Sequence, residues 1–359
     1  MDRLNSRHIM FIIWGITIIS IKTNISVLLS LAGRDVWIAI AIASIIATFY
    51  LIYITKIMQR TNSFNIAQIY REALGNILGN LFLCVTMIEI ILTLIECATI
   101  EAVSMHSNLF IETPSWYLII FFTIPAIYTV KKGLPPLAVV TILVICGAIL
   151  SGIILVALTA PYKDYRHLLP IMADNLNIKF IDAIILSLGF YGSLFLVFPF
   201  YKYVHDKNKL TKYSFIGFLF VIQMHIVSSI STIATFGPIR ASNLLFPKLI
   251  QIQEITLLGF LESGELFVLF QIVGGWFVKY IISFFALREL IKAFHIDGNI
   301  IVYFVTFIVT VVSIMISNES KYLDVVLHLY GNISFIIFVV MPFITLTIYK
   351  LKKRYLLKS

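Results

Sequence analysis

Residues 8–31 read HIMFIIWGITIISIKTNISVLLSL. The run can cross a bilayer, whose hydrocarbon core takes about 20 apolar helical residues. Its middle is wrong for lipid. Lys22-Thr23-Asn24 sits among isoleucines, with Ser20 and Ser26 on either side. A charge near the bilayer centre costs roughly 2.5–3.5 kcal/mol even on a lenient insertion scale, so such a residue faces protein or water and takes a partner. Asn24, Ser26 and the β-branched Ile21, Thr23 and Ile25 also lower helix propensity locally. The stretch reads as a first membrane helix that loosens halfway and presents polar groups to a cavity. The competing reading is a lysine that snorkels to a headgroup. Lys22 lies about 14 residues in, roughly 20 Å along a helix, so its ammonium would only just reach the outer face.

The rest of the chain agrees with a membrane setting. It has 359 residues, 60% hydrophobic and only 13% charged, with a mean hydropathy of +0.98. No soluble globular domain has that balance, so the chain reads as one polytopic membrane domain. Cys84, Cys97 and Cys146 all fall inside apolar runs and support neither a disulfide framework nor a metal site. The first run is too long for a signal peptide and has no small-residue cleavage site, which predicts that it is retained.

Ten apolar segments can be marked, at roughly 8–31, 36–56, 79–105, 115–130, 135–159, 180–201, 213–236, 265–290, 299–317 and 323–349. The stretch 241–262 is too interrupted to span and reads as a short surface helix. Placing the N-terminus in the cytoplasm puts 18 of the 27 lysines and arginines on the cytoplasmic side and 7 on the other, with Lys22 and Lys279 inside the membrane. Every cytoplasmic loop contributes, which supports both the count and the orientation. Thr113 is expected to cap the fourth helix ahead of Pro114, and Pro135-Pro136 to open the fifth.

Five helices make each half, so the second half enters from the opposite face. That predicts an inverted repeat of roughly 8–159 and 180–349, the architecture of many transporters. In such a repeat the first and sixth helices correspond. The sixth carries Ser187-Leu188-Gly189-Phe190-Tyr191-Gly192-Ser193 at its centre, where small residues lower helix propensity and let backbone line a cavity. The competing reading is a small-residue face for helix packing.

Ionisable groups gather at the same depth. Glu89 and Glu96 lie seven apart on the third helix and share a face with Thr86 and Thr93, while Glu101 lies on another face nearer the outer end. On the eighth helix Gly275, Lys279 and Ser283 follow i, i+4 spacing. Two lysines against two central glutamates fits mutual compensation, with Lys22 or Lys279 as partner of Glu96. Either carboxylate could handle protons, or only fix packing. The seven histidines have no metal-ligand spacing, and His225 reads as a packed polar group. No phosphate loop, nucleophile elbow or zinc motif is present, so neither an enzyme nor a cofactor is expected.

Taken together, these residues resemble the spore germination receptor B subunits, the GerAB-type permeases of the amino acid–polyamine–organocation superfamily. The resemblance runs over nearly the whole chain. It rests on Ala32-Gly33-Arg34-Asp35-Val36-Trp37, Ile69-Tyr70-Arg71-Glu72-Ala73-Leu74-Gly75-Asn76-Ile77-Leu78-Gly79, Thr113-Pro114-Ser115-Trp116, Lys132-Gly133, Leu168-Leu169-Pro170, Phe198-Pro199, Phe236-Gly237-Pro238, Phe246-Pro247 and Phe277-Val278-Lys279 in that order. It implies an all-α fold of ten transmembrane helices as a 5+5 inverted repeat, LeuT-like, with broken helices 1 and 6. It also implies a germinant-sensing subunit in the spore inner membrane, partnered by an A subunit and a C lipoprotein and not by nucleic acid.

A small nutrient, commonly an amino acid, would bind a cavity between helices one, three, six and eight. Carried onto this chain, that site takes Lys22, Thr23, Asn24, Thr93, Glu96, Gly189, Tyr191, Gly192, Ser193, Lys279 and Ser283. Glu89, Glu96 and Lys22 are the groups for ion or proton coupling. Two departures stand out. Ser263 replaces the arginine that usually follows the surface helix, and Lys22-Thr23-Asn24 replaces the usual glycine and proline of the first break. Lys22 either holds a ligand carboxylate or stands in for a bound cation. A proton-coupled secondary transporter of amino acids or similar solutes is the alternative function.

Overall fold

The first apolar run folds as two helices, α1 (Ser6–Thr23) and α2 (Ile25–Ala32), separated by Asn24. Asn24 has left the helical region, with φ −96° and ψ 28°, and its N–H still bonds the Ser20 carbonyl at 3.0 Å. The break is therefore a single non-helical residue and not an unwound segment. It falls inside the polar triplet, where the sequence placed it. The computed structural model describes residues 4–172, 177–253, 264–296, 299–319 and 323–356. Ser263 and most of the interrupted stretch after 253 lie outside the described residues, so the departure at Ser263 has no structural account here.

The remaining helices follow the span reading closely. They are α3 (Val36–Arg60), α4 (Ile66–Leu74), α5 (Asn76–Asn108), α6 (Ser115–Lys132), α7 (Leu134–Thr159), α8 (Ile178–Tyr191), α9 (Leu210–Asn243), α10 (Pro247–Gln253), α11 (Gly264–Ile291), α12 (Asn299–Ser317), α13 (Leu323–Ser334) and α14 (Met341–Leu356). Eight helical stretches among the described residues are long and apolar enough to cross a membrane by composition alone, one of them joining α2 to α3. The first span is α1 with α2, and α6 is the fourth. The fold is all-α and multi-spanning, with ten transmembrane helices as a 5+5 inverted repeat. Leu4, just before α1, and the end of α14 lie at one end of the bundle, called here the termini side, and α10 lies at the other, the far side.

Two details differ from expectation. α6 starts at Ser115 with Pro114 at the cap and no side-chain cap bond. The Thr113 carbonyl instead meets His106 Nδ1 at 2.8 Å. And α4 is a helix that the spans do not include. Asn65 caps it by accepting from the Ala67 and Gln68 amides, and Gly75, at φ 84°, ends it. Its apolar face, Ile66, Ile69, Tyr70 and Ala73, is buried, packed against α5 and α14.

The sixth span changes form at the expected place. α8 ends at Tyr191, and Gly192–Tyr203 continues as a tighter 3-10 helix with Pro199 inside it. Long 3-10 runs have poorer hydrogen bonds and often mark hinges or strain. Gly189 is fixed by close approach, because a Cβ there would lie 1.8 Å from the Gly331 carbonyl oxygen on α13. Residues 335–340 of the tenth span widen into a π-turn, and the Phe338 carbonyl accepts from Tyr50 Oη at 2.5 Å. Pro238 ends the seventh span, where Gly237 takes φ 70°. Around these breaks α1 packs on α9, α11, α7 and the 3-10 segment, so the interrupted first helix stands in the middle of the bundle.

Candidate functional site

The interior polar groups fall into three places around α1. The first is an ion pair. Lys279 on α11 donates to Glu96 Oε2 on α5 at 2.5 Å and to Ser20 Oγ on α1 at 2.6 Å. Lys279 is fully buried and Glu96 nearly so. The ammonium also lies 5.2 Å from the Trp276 ring and 5.8 Å from Tyr330, within cation–π range. Thr93 on the same face of α5 donates to the Glu89 carbonyl at 3.0 Å and meets Tyr330 Oη at 3.2 Å. Ser283 donates to the Lys279 carbonyl at 2.6 Å. Glu89 accepts from Ser334 on α13, and its Oε2 has no hydrogen-bond partner among the described residues.

Lys22 therefore does not compensate Glu96. Ser20 and Lys22 are two residues apart on α1, hence about 200° apart around it at 3.6 residues per turn. The side that reaches Glu96 belongs to Ser20, and Lys22 points the other way. Its ammonium donates to Gln271 Oε1 on α11.

The second place is the cavity that Lys22 enters. Its volume is about 380 Å³, within the range of small-molecule sites. α1 contributes Ile19, Lys22 and Thr23, and α11 contributes Val268, Gln271 and Ile272. α7, α9 and α10 form the other walls, with Lys248 and Gln251 at the far-side end. The resemblance implied a cavity between helices one, three, six and eight. This one takes no residue from the third or sixth span. Glu96 lines a separate cavity of about 190 Å³ with α12 and α13.

Lys248 donates to Gln251 Oε1 at 2.9 Å. Burial, with Lys22 and Lys163 adding like charge, pushes its ammonium well below the usual lysine range. Thr23 Oγ1 and Gln271 Nε2 are buried on this cavity without a hydrogen-bond partner among the described residues. Both polar atoms of the Asn24 amide are buried and unpartnered in the same sense.

The third place is a chain of hydrogen bonds between the second, sixth and seventh spans. Tyr191 Oη lies 2.8 Å from Ser44 Oγ and 2.8 Å from His225 Nδ1. His225 Nε2 lies 3.1 Å from the Ile18 carbonyl. A carbonyl only accepts, so Nε2 carries the proton and Nδ1 accepts from Tyr191. His225 is a packed polar group, as its sequence context suggested.

The residues carried over for the ligand site are thus only partly brought together. Lys22 and Thr23 line the large cavity, and Asn24 adjoins it in the chain. Thr93, Glu96, Lys279 and Ser283 form the ion-pair layer. Gly189 and Gly192 face the tenth span, where Gly331, Ser334 and Phe338 meet them, which is the helix-packing reading of these glycines. Tyr191 turns to α3 and α9. Ser193 donates to the Ile16 and Phe190 carbonyls at 3.0 Å, tying the sixth span to the first. Sequence reasoning did not single out Gln271, Lys248 or Gln251. Gln271 continues the Gly275, Lys279, Ser283 series by one step of four, a signal that was available.

On the termini side hydrogen bonds and ion pairs tie the first, sixth and eighth spans together. The Leu4 N–H donates to the Tyr203 carbonyl at 2.9 Å, and the His205 N–H donates back to Leu4 at 3.1 Å. Ser6 donates to Asp206 from its N–H at 2.7 Å and from its hydroxyl at 2.6 Å. Glu289 on α11 accepts from Tyr203 at 2.7 Å and pairs with Lys202 and Lys292.

A family model described as spore germination protein, a spore permease, matches residues 3–322. The chain belongs to this spore germination permease family. It is 24% identical over 272 residues to spore germination protein XB of Bacillus anthracis, covering 75% of each chain. It is 22% identical over 328 residues to spore germination protein A2 of Bacillus subtilis strain 168, covering 89% of this chain and 87% of the relative.

Among solved structures it resembles two mutant forms of the manganese transporter of Eremococcus coleocola, with TM-scores of 0.63 and 0.62 at 12% identity. Each alignment covers 96% of this chain and 84% of the transporter. The likeness is one of fold. Among the described residues no cluster of histidine, cysteine or carboxylate could hold a metal ion. Family and fold are those of an integral membrane permease and not of an enzyme.

Proposed function

We propose that this permease-family protein binds a small solute in the cavity beside Asn24 and passes it across the membrane. The observation that carries the reading is the cavity itself, set against the contacts on the termini side. A cavity of small-molecule size reaches mid-depth beside the first-helix break, while the termini side is latched through Ser6–Asp206 and Glu289. Opening that latch and closing the far side would complete an alternating-access cycle. Among the central carboxylates, Glu89 is the candidate for proton coupling, because Glu96 already has a cationic partner in Lys279 and Glu89 has only the Ser334 hydroxyl. The test is uptake into proteoliposomes from a panel of amino acids and organic acids, with and without an inward proton gradient. Gradient-driven accumulation of any member supports the reading, and absence of both flux and binding across the panel overturns it.

A second reading is supported by the relatives, both of which are named as spore germination proteins. In it the same cavity senses a nutrient in the spore inner membrane, with the termini in the cytoplasm and an A subunit and a C lipoprotein as partners. The ligand would favour one arrangement of the helices and so shift the receptor population. Saturable binding without net flux in the same panel separates this reading from transport.

A further inference from the structure

The large cavity has a charge pattern that selects among solutes. Two lysines line it, Lys22 at mid-depth and Lys248 at the far-side end, and each keeps part of its surface open to the cavity. No carboxylate lines the cavity among the described residues. Among the described residues both lysines are partnered only by neutral amide oxygens, Gln271 Oε1 and Gln251 Oε1. Each of those amide oxygens accepts from one lysine.

Two buried polar atoms of the lining residues are unpartnered among the described residues. Gln271 Nε2 is an obligate donor and the Thr23 hydroxyl can donate, and both residues are more than nine-tenths buried. Gln251 Nε2 is already spent on Ser231 and Thr235, at 3.1 Å and 2.6 Å to their hydroxyls. Most of the remaining wall is apolar, from Ile19, Ile149, Leu155, Met224 and Ile272. An ammonium would enter beside two lysines, and the amide oxygens that could receive it are already shared with them. A carboxylate would meet the Lys22 ammonium and would favour the charged form of Lys248, which burial otherwise disfavours, and this is the favoured polarity for charge-assisted hydrogen bonds.

We infer that the cavity takes an organic anion, a carboxylate on an apolar body, with the carboxylate held between Lys22 and Lys248 and the body against α7 and α9. This rests on the reading of the cavity as the solute site and narrows it to a charge class. The lysines sit on elements that the first-helix break and α10 position, so a bound anion ties α1 to α10 across the cavity. A zwitterionic amino acid would keep its carboxylate contacts but lose against the matching des-amino acid.

The test uses the full chain in phosphatidylcholine nanodiscs and three probes of one length: hexanoate, hexanamide and hexylammonium. Binding is read by calorimetry and by thermal shift. Hexanoate is expected to bind and to stabilise, with the amide and the amine weaker by about tenfold or more. Lys22→Met and Lys248→Met should each weaken hexanoate by about tenfold and leave the weak hexanamide signal unchanged. Equal binding of the three probes, preference for hexylammonium, no response to hexanoate, or hexanoate binding unchanged in both variants would overturn the assignment. The wild-type probe series stands even if a variant fails to fold. If a neutral or cationic solute moves while hexanoate is inert, the anion assignment is lost and the permease reading survives. If no solute of any charge binds or moves, the permease reading itself is lost.

Discussion

Lys279 holds Glu96 at 2.5 Å in the middle of the membrane, and Ser20 on the first helix takes another of its three protons at 2.6 Å. The pair joins the third and eighth spans through two buried side chains. Removing one partner of a buried pair leaves the other charge uncompensated, at about 3–5 kcal/mol. Lys279→Met and Glu96→Gln should each lower the thermal midpoint strongly, and the double variant should lose much less than the sum. Additive losses in a double-mutant cycle would show that the two groups do not act as a pair. The alternative cycle, Lys22→Ala with Glu96→Gln, should give no rescue, because Lys22 bonds Gln271 on the other side of α1.

Tyr191 should matter for packing and not for ligand charge. Its hydroxyl lies between Ser44 and His225, at 2.8 Å from each. In Tyr191→Phe the buried Nδ1 of His225 loses its donor, which costs about 1–3 kcal/mol. The expected outcome is a lower unfolding midpoint with the charge preference among solutes intact. A changed charge preference at unchanged stability would place Tyr191 at the ligand after all.

How much of this was legible in the sequence follows from what each signal measures. Hydropathy and the lysine and arginine bias sense solvent, so the ten spans and the two halves could be read directly. The interruption at Asn24 and the change at Tyr191–Gly192 were legible because propensity is local. Partner choice was not. Glu96 had two lysines at the right depth, and the decision between them turned on the rotation of α1, where two residues change the facing side by about 200°. Gly189 and Gly192 looked the same as cavity-lining glycines because a small residue signals close approach without naming what approaches. Here it is the Gly331 and Ser334 backbone. The cavity itself escaped the reading because α10, which supplies Lys248 and Gln251, is only seven residues long and folds over distant helices.

The latch on the termini side should respond to acid. Partial burial pulls the Asp206 carboxyl up, but the two hydrogen bonds from Ser6 outweigh it, so it is held below the usual aspartate range. A lowered folded pKa gives stability that is present above the unfolded value of roughly 3.9 and lost as pH falls through the folded value. The contribution of Asp206 to the latch is therefore complete at neutral pH and lost only in strong acid. Amide hydrogen exchange at Leu4, Ser6 and His205 should stay slow down to about pH 4 and quicken below it. Asp206→Asn should exchange faster at neutral pH and show little further change on acidification. An unaltered exchange pattern in that variant would mean that the strand-like pairing of Leu4 with Tyr203 and His205 closes this side by itself.

Asn24 carries the sharpest contrast between stability and function. Its side-chain oxygen and nitrogen are both buried, and neither has a partner among the described residues. Each such group costs about 1–3 kcal/mol, a large fraction of any protein's margin. Asn24→Ala removes both groups and raises helix propensity at the break, so it should stabilise the protein in a thermal scan. If the polar groups serve packing alone, solute responses should survive the change. The solute-site reading expects the reverse. The variant should unfold at a higher temperature and bind solute more weakly, because Lys22 and Thr23 would be rotated by a regularised helix. Stabilisation together with unchanged binding would detach the break from the cavity and leave it as a packing feature of the inverted repeat.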